Sequence, residues 1–145
     1  PVGLAARDIL RMEMKYCLYG NDINEETNPL EAGLSWITAL DKGSFIGFDK
    51  IQKEKFDGTK KKLVSVKMKE RGIPRSGYQI YVENNNIGFV TSGTQSPLLK
   101  TGICLAYINS PFNKIGQHIS IKIREKLLDA VIIQPPFINQ TSLHH

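Results

Sequence analysis

An α+β fold that is mainly β is predicted for this 145-residue chain, with a short helical N-terminal segment over residues 1–58 and a six-stranded antiparallel barrel or jelly roll over residues 59–145. Three observations predict it. Apolar residues recur every three or four positions from Leu4 to Cys17, the period of a helix. After Thr59 the pattern switches to alternation, the period of a strand. Six short strand candidates then follow, parted by turn-forming clusters and with no helical pattern between them, as in antiparallel barrels.

In the first helix, Ala6, Leu10, Met14 and Cys17 form one apolar line and Ala5, Ile9, Met12 and Tyr16 another, so a broad buried face is expected. The polar stripe left over is Arg7, Arg11 and Lys15, three cations on one face that meet either solvent or an anion. Asp8 and Glu13 offset their repulsion only in part. Gly20 and Asn21 suit the left-handed backbone of a helix end, and the Asn21 and Asp22 side chains can close local turns. Asn28-Pro29-Leu30-Glu31 reads as a helix start, with Asn28 as N-cap, Pro29 at the first helical position and Glu31 closing a capping box. Gly33 stops it. Leu34 to Leu40 is a strand candidate, Asp41-Lys42-Gly43 a turn, and Phe48 to Phe56 a Lys-rich surface helix ended by Asp57-Gly58.

In the β region Val64, Val66 and Met68 share one face, with Ser65, Lys67 and Lys69 on the other. Further strands are expected over Tyr78 to Glu83, Ile87 to Ser92, Ile103 to Ile108, His118 to Arg124 and Lys126 to Ile133. Turn chemistry separates them at Gly72-Ile73-Pro74, Asn84-Asn85-Asn86, Ser96-Pro97 and Asn109-Ser110-Pro111.

Composition narrows the function classes. Nineteen Lys and Arg against 14 Asp and Glu leave a net charge of +5, densest at Lys60-Lys61-Lys62, which reads either as a solvated turn or as attraction to an anionic partner. No apolar run reaches the ~18 residues of a membrane-spanning helix, and no secretory leader is visible. A soluble cytoplasmic-type protein is the default expectation. Cys17 and Cys104 lie among apolar neighbours with no CxxC pair, as buried reduced thiols do. The sequon at Asn139-Gln140-Thr141 is discounted without a secretion signal, and His144 and His145 are either native or part of a tag. The chain opens on Pro1, with a dense motif block from Gly3, so a preceding segment is expected.

No metal-ligand set is expected, and His118 reads as a structural or exposed residue. No nucleophile elbow, Walker loop or dinucleotide fingerprint occurs, and Ser92-Gly93-Thr94 reads as a tight turn. The best chemical candidate is Arg7. In the first turns of a helix a guanidinium gains nothing from the dipole, so it points to a specific anion or a lone-pair-rich ring edge, or equally to a carboxylate such as Asp8 packed alongside.

Gly3-Leu4-Ala5-Ala6-Arg7-Asp8, Cys17-Leu18-Tyr19-Gly20-Asn21-Asp22-Ile23 and Pro29-Leu30-Glu31-Ala32-Gly33-Leu34-Ser35-Trp36 together carry a resemblance to the aminomethyltransferase, or T-protein, family of the glycine cleavage system. It continues through Arg71-Gly72-Ile73-Pro74-Arg75-Ser76-Gly77-Tyr78, Thr91-Ser92-Gly93-Thr94, Ser96-Pro97 and Pro136-Phe137. Only the C-terminal part of that longer, three-domain family is matched.

The resemblance implies an enzyme that moves an aminomethyl carbon from the lipoyl arm of a carrier H-protein to tetrahydrofolate, releasing ammonia and forming methylenetetrahydrofolate. It implies that residues 1–58 end a folate-binding region and that residues 59–145 are the terminal barrel. The folate-binding arginine of the family falls on Arg7, while the catalytic aspartate falls upstream, so no catalytic residue is expected in this chain and the chain alone is expected to be inactive. A tyrosine near the family's C-terminus has no counterpart, Ser142 standing at about that place. Lipoylated H-protein and folate are the implied partners, with a monomer and no membrane, in the cytoplasm of a bacterium or the mitochondrion of a eukaryote. Two alternatives stand beside this reading. One is the folate-binding tail of a dimethylglycine or sarcosine dehydrogenase. The other is a basic barrel that binds nucleic acid, against which stands the paucity of stacking aromatics, chiefly Tyr78, Tyr81, Phe89 and Tyr107.

Overall fold

The computed structural model describes residues 1–141; Ser142, His144 and His145 lie outside the described residues. The order is α1 (Leu4–Glu13), two 3-10 turns (Ser35–Ile37 and Leu40–Lys42), α2 (Phe48–Asp57), then β1 (Lys61–Met68), β2 (Gln79–Val82), β3 (Asn85–Ser96), β4 (Thr101–Asn109), β5 (His118–Ile123) and β6 (Lys126–Ile133). The strands close into an antiparallel barrel in the order β1-β4-β3-β2-β5-β6, as the alternating pattern predicts. Among the described residues no helix is long and apolar enough to cross a membrane.

Alternation places the core. Val64, Val66 and Met68 of β1 point into the barrel and meet Ile80, Val90, Ala106, Ile121 and Ile132. β4 differs, being buried from Gly102 to Ile108 on both faces. Its outward Ile103, Leu105 and Tyr107 join Leu63, Phe137 and Met12 of α1 in a second cluster outside the barrel. This second cluster fastens the N-terminal segment to the barrel. Met12 is fully buried there, an anchor of about 2–3 kcal/mol by transfer energetics.

The N-terminal segment departs from the sequence expectation in four places. α1 stops at Glu13 rather than Cys17, because Lys15 takes a left-handed backbone at φ 57° and the chain turns back. Its broad apolar face is not buried: only Met12 and Glu13 are, while Leu4 and Leu10 stand 82% and 59% exposed. The Asn28 cap forms as predicted, its Oδ1 accepting from the Leu30 and Glu31 amides at 2.8 and 2.9 Å, but it opens a single turn that Gly33 ends at φ 72°. Leu34 to Leu40 is not a strand; the Ser35 carbonyl accepts from Thr38 N–H, and 3-10 geometry takes its place. α2 forms where expected and ends at Gly58.

Within the barrel the exception is Ser92-Gly93-Thr94, which is not a turn but lies inside β3. The Asn84-Asn85-Asn86 turn is likewise tighter than expected, since Asn85 and Asn86 already pair in β3. Gly93 is required at its place: a Cβ there would lie 1.9 Å from the Pro74 carbonyl oxygen.

Candidate functional site

The motifs of the N-terminal segment and of β3 converge on one buried carboxylate. Asp22, 1% exposed, follows the Leu18–Gly20 turn that returns the chain toward the barrel. Its Oδ1 accepts from Thr91 Oγ1 at 2.5 Å and Ser92 Oγ at 2.8 Å. Its Oδ2 accepts from Arg11 Nη1 at 2.5 Å and from the Leu18 amide at 2.9 Å. The Asp22 carbonyl accepts from Tyr107 Oη at 2.7 Å.

A bulge makes this convergence possible. Successive residues of a regular strand point to opposite faces, yet both hydroxyls of Thr91 and Ser92 reach the same oxygen. The β3–β4 register shifts between Val90 and Ser92, leaving Thr91 as the extra residue. That extra residue turns Thr91 and Ser92 outward together, toward α1.

Arg11 completes the clamp. Besides Asp22, its guanidinium donates through Nη2 to Ser92 Oγ at 2.9 Å, through Nε to Asp8 Oδ1 at 2.8 Å and through Nη1 to the Tyr16 carbonyl at 3.2 Å. Glu13 holds a second point, its Oε1 accepting from Ser96 Oγ at 2.6 Å. One turn of α1 is thereby tied to β3 by the Arg11–Ser92 and Glu13–Ser96 hydrogen bonds, to the Asp22 loop by an ion pair, and to β1 and β4 by the Met12 anchor.

The three-cation stripe therefore splits. Arg11 turns inward, Lys15 turns toward Gly33, and Arg7 is left exposed with no ion pair among the described residues. Of the two alternatives for Arg7, a carboxylate packed alongside is not Asp8: Asp8 braces Arg11, whose three donor nitrogens find acceptors on every side. Arg7 instead stands on the rim of a groove of about 730 Å³ walled by Leu10, Met14, Tyr16, Leu98 and Ile138. A free guanidinium above apolar walls can grip a planar, lone-pair-rich molecule whose body the walls cover.

Burial also sets the ionisation of the neighbourhood. The Tyr107 hydroxyl is pushed up to about 12, chiefly by burial. Burial, with the Asp22 charge, likewise raises the Cys17 thiol, and burial alone raises that of Cys104, so both are poor nucleophiles. His118 is exposed. Among the described residues no group of three or more His, Cys, Asp or Glu side chains comes together.

Sequence reasoning singled out Arg7 but missed Arg11 and the depth of Asp22. The signal for Asp22 was present only as a turn former; its partners Thr91 and Ser92 lie about 70 residues away.

Residues 61–139 match the family model of the glycine cleavage T-protein C-terminal barrel domain, and residues 1–42 match that of the GCVT N-terminal domain. An aminomethyltransferase of Bacteroides fragilis is 49% identical over 139 residues, covering 94% of this chain and 38% of the relative. One from Halothermothrix orenii is 49% identical over 138 residues, covering 95% and 39%. The crystal structure of glycine cleavage system aminomethyltransferase T from Bartonella henselae superposes with a TM-score of 0.88 at 31% identity, over 94% of this chain and 39% of that one. The chain thus spans about two fifths of the length of these relatives.

Proposed function

The chain belongs to the glycine cleavage T-protein family, and from that premise we propose that it supplies the C-terminal part of an aminomethyltransferase. In this reading residues 1–58 complete a folate-binding region and residues 59–145 form the barrel that braces it. The whole enzyme takes an aminomethyl group from the lipoyl arm of a carrier H-protein. Attack of tetrahydrofolate N5 on the methylene carbon, with loss of ammonia, leaves the carbon bonded to N5 and to the lipoyl sulfur; attack by N10 then breaks the carbon–sulfur bond, closing methylenetetrahydrofolate and freeing the carrier's dithiol as the N10 proton passes to the sulfur. In this reading the enzyme acts as a monomer, and in the cytoplasm if its source is bacterial like the relatives named above.

One observation carries the proposal for this chain: Arg7 is held on α1 with no salt bridge among the described residues, while the carboxylate next to it in sequence is committed to Arg11. Its position above apolar walls fits tetrahydrofolate, a flat ring system with polar edges. The role of Arg7 is to hold that substrate by charge-assisted hydrogen bonds. The clamp of Arg11, Asp22, Thr91 and Ser92 fixes the helix that carries it, so these are positioning residues. Proton transfer and orientation of the reacting amine belong to the catalytic aspartate that the family carries ahead of this region. The exposed apolar residues of α1, Leu4 and Leu10 among them, are the surface against which that region packs.

The test is direct. Incubated with tetrahydrofolate and aminomethyl-loaded carrier, the purified chain is expected to form no methylenetetrahydrofolate, since one charge-assisted contact supplies only ~1.5–3 kcal/mol. Product formation by the chain alone would overturn this reading.

A further inference from the structure

A cavity of about 490 Å³ lies on the other flank of the N-terminal segment, between it and the outer side of β1 and β6. It shares no lining residue with the Arg7 groove. Lys15, Lys55 and Lys62 stand around it against the single carboxylate of Glu54, and Leu30, Leu63 and Ile133 supply apolar wall. Glu54 is occupied elsewhere, accepting from Asn28 Nδ2.

Two features of this cavity lack an internal explanation. Ser65 lines it, is 1% exposed, and its Oγ has no hydrogen-bond partner among the described residues. A buried orphan hydroxyl is a cost that folded proteins seldom carry without a ligand to answer it. Lys15 is the second. Its backbone is left-handed, and its ammonium lies so close to Gly33 that a Cβ there would sit 2.9 Å from Nζ. It forms no salt bridge among the described residues.

We propose that this cavity binds a small organic anion, with its carboxylate or phosphate head between Lys15 and Lys62, a polar atom accepting from Ser65 Oγ, and an apolar body against Leu63 and Ile133. The volume lies within the range of small-molecule sites. Burial, with Lys62 acting in the same direction, lowers the Lys15 pKa from its ordinary value, the condition of a desolvated cation that an incoming anion relieves.

The experiment titrates the 145-residue chain with phenyl phosphate and with benzoate, following backbone amide shifts of Gly33, Lys62 and Ser65 by NMR. Inorganic phosphate and benzyl alcohol serve as head-only and body-only arms, and the stronger of the two aryl anions identifies the head group. Saturable shifts with one aryl anion are expected, stronger than with either partial probe and weakened as salt rises. Lys15→Met and Lys62→Met should each weaken binding about tenfold, as loss of a charge-assisted bond does, while Lys122→Met, outside the cavity, leaves it unchanged. Ser65→Ala keeps both cations. It should weaken binding by a smaller factor with no loss in melting temperature, because the orphaned hydroxyl goes with it. Absence of saturable shifts at these amides up to about 10 mM ligand, or binding unaltered in Ser65→Ala and in whichever lysine variants fold, overturns the proposal.

Discussion

Replacing Arg11 by Met leaves the Asp22 carboxylate buried with its positive partner gone. Asp22 has no exposed side-chain surface and Arg11 only 11%, so water cannot take the place of the guanidinium. Three donors would remain on the carboxylate: Thr91 Oγ1, Ser92 Oγ and the Leu18 amide. Breaking a buried pair from one side costs ~3–5 kcal/mol, and those three donors place this case near the lower end, about 3 kcal/mol. For a chain of this length that amounts to a fall in Tm of roughly 6–12 °C. Urea unfolding followed by circular dichroism measures the free energy, and a cycle with Asp22→Asn isolates the pair. In that cycle the double variant should be less destabilised than the sum of the singles by at least about 1 kcal/mol. A loss below about 1 kcal/mol in Arg11→Met, the range of a solvated pair, would refute the reasoning that this clamp is closed to water.

Three further outcomes follow from the same geometry. Gly93→Ala drives a methyl into the Pro74 carbonyl, 1.9 Å away, and should cost about 3 kcal/mol, measured by the same urea titration; a loss under about 1 kcal/mol would show that the Pro74 loop yields freely. Tyr107 is held protonated up to about 12 in the folded chain, whereas an unfolded tyrosine ionises near ~10. The unfolded chain therefore sheds its proton first, and stability should fall as pH rises from about 10 toward 12, a fall that Tyr107→Phe removes and tyrosinate absorbance reports. At mildly alkaline pH a thiol reagent should modify half-buried Cys17 slowly and Cys104 only after denaturation; rapid labelling of both would contradict the burial.

The barrel was legible because strand chemistry is local. Val64, Val66 and Met68 alternate with Ser65 and Lys67 whatever the rest of the chain does, and each of the six strand candidates after Thr59 falls on an observed strand, whereas Leu34 to Leu40, ahead of the barrel, does not. Where the expectation failed, a distant contact overrode a local preference. The apolar period of α1 runs on through Cys17, but the clamp at Arg11 and the left-handed Lys15 end the helix at Glu13. Ser92-Gly93-Thr94 carries turn residues because a bulge and the close Pro74 carbonyl need them, a requirement set by a loop some 20 residues away. The Asp22 site was invisible for the same reason, since its ligands come from three separate stretches of chain. Arg7 stands out in the sequence as a cation in the first turns of a helix, and among the described residues it forms no salt bridge.

The central claim is that this chain completes a folate-binding aminomethyltransferase and that Arg7 touches the folate. Substituting residues 1–145 for the matching C-terminal 38% of the Bacteroides fragilis relative tests it most directly. With tetrahydrofolate and loaded carrier, the chimera should release ammonia and form methylenetetrahydrofolate. Arg7→Met in that chimera should raise the KM for tetrahydrofolate roughly 10- to 150-fold without lowering Tm, the equivalent of ~1.5–3 kcal/mol. A folded chimera with no transfer activity, or one in which Arg7→Met leaves the folate KM unchanged, would contradict the account.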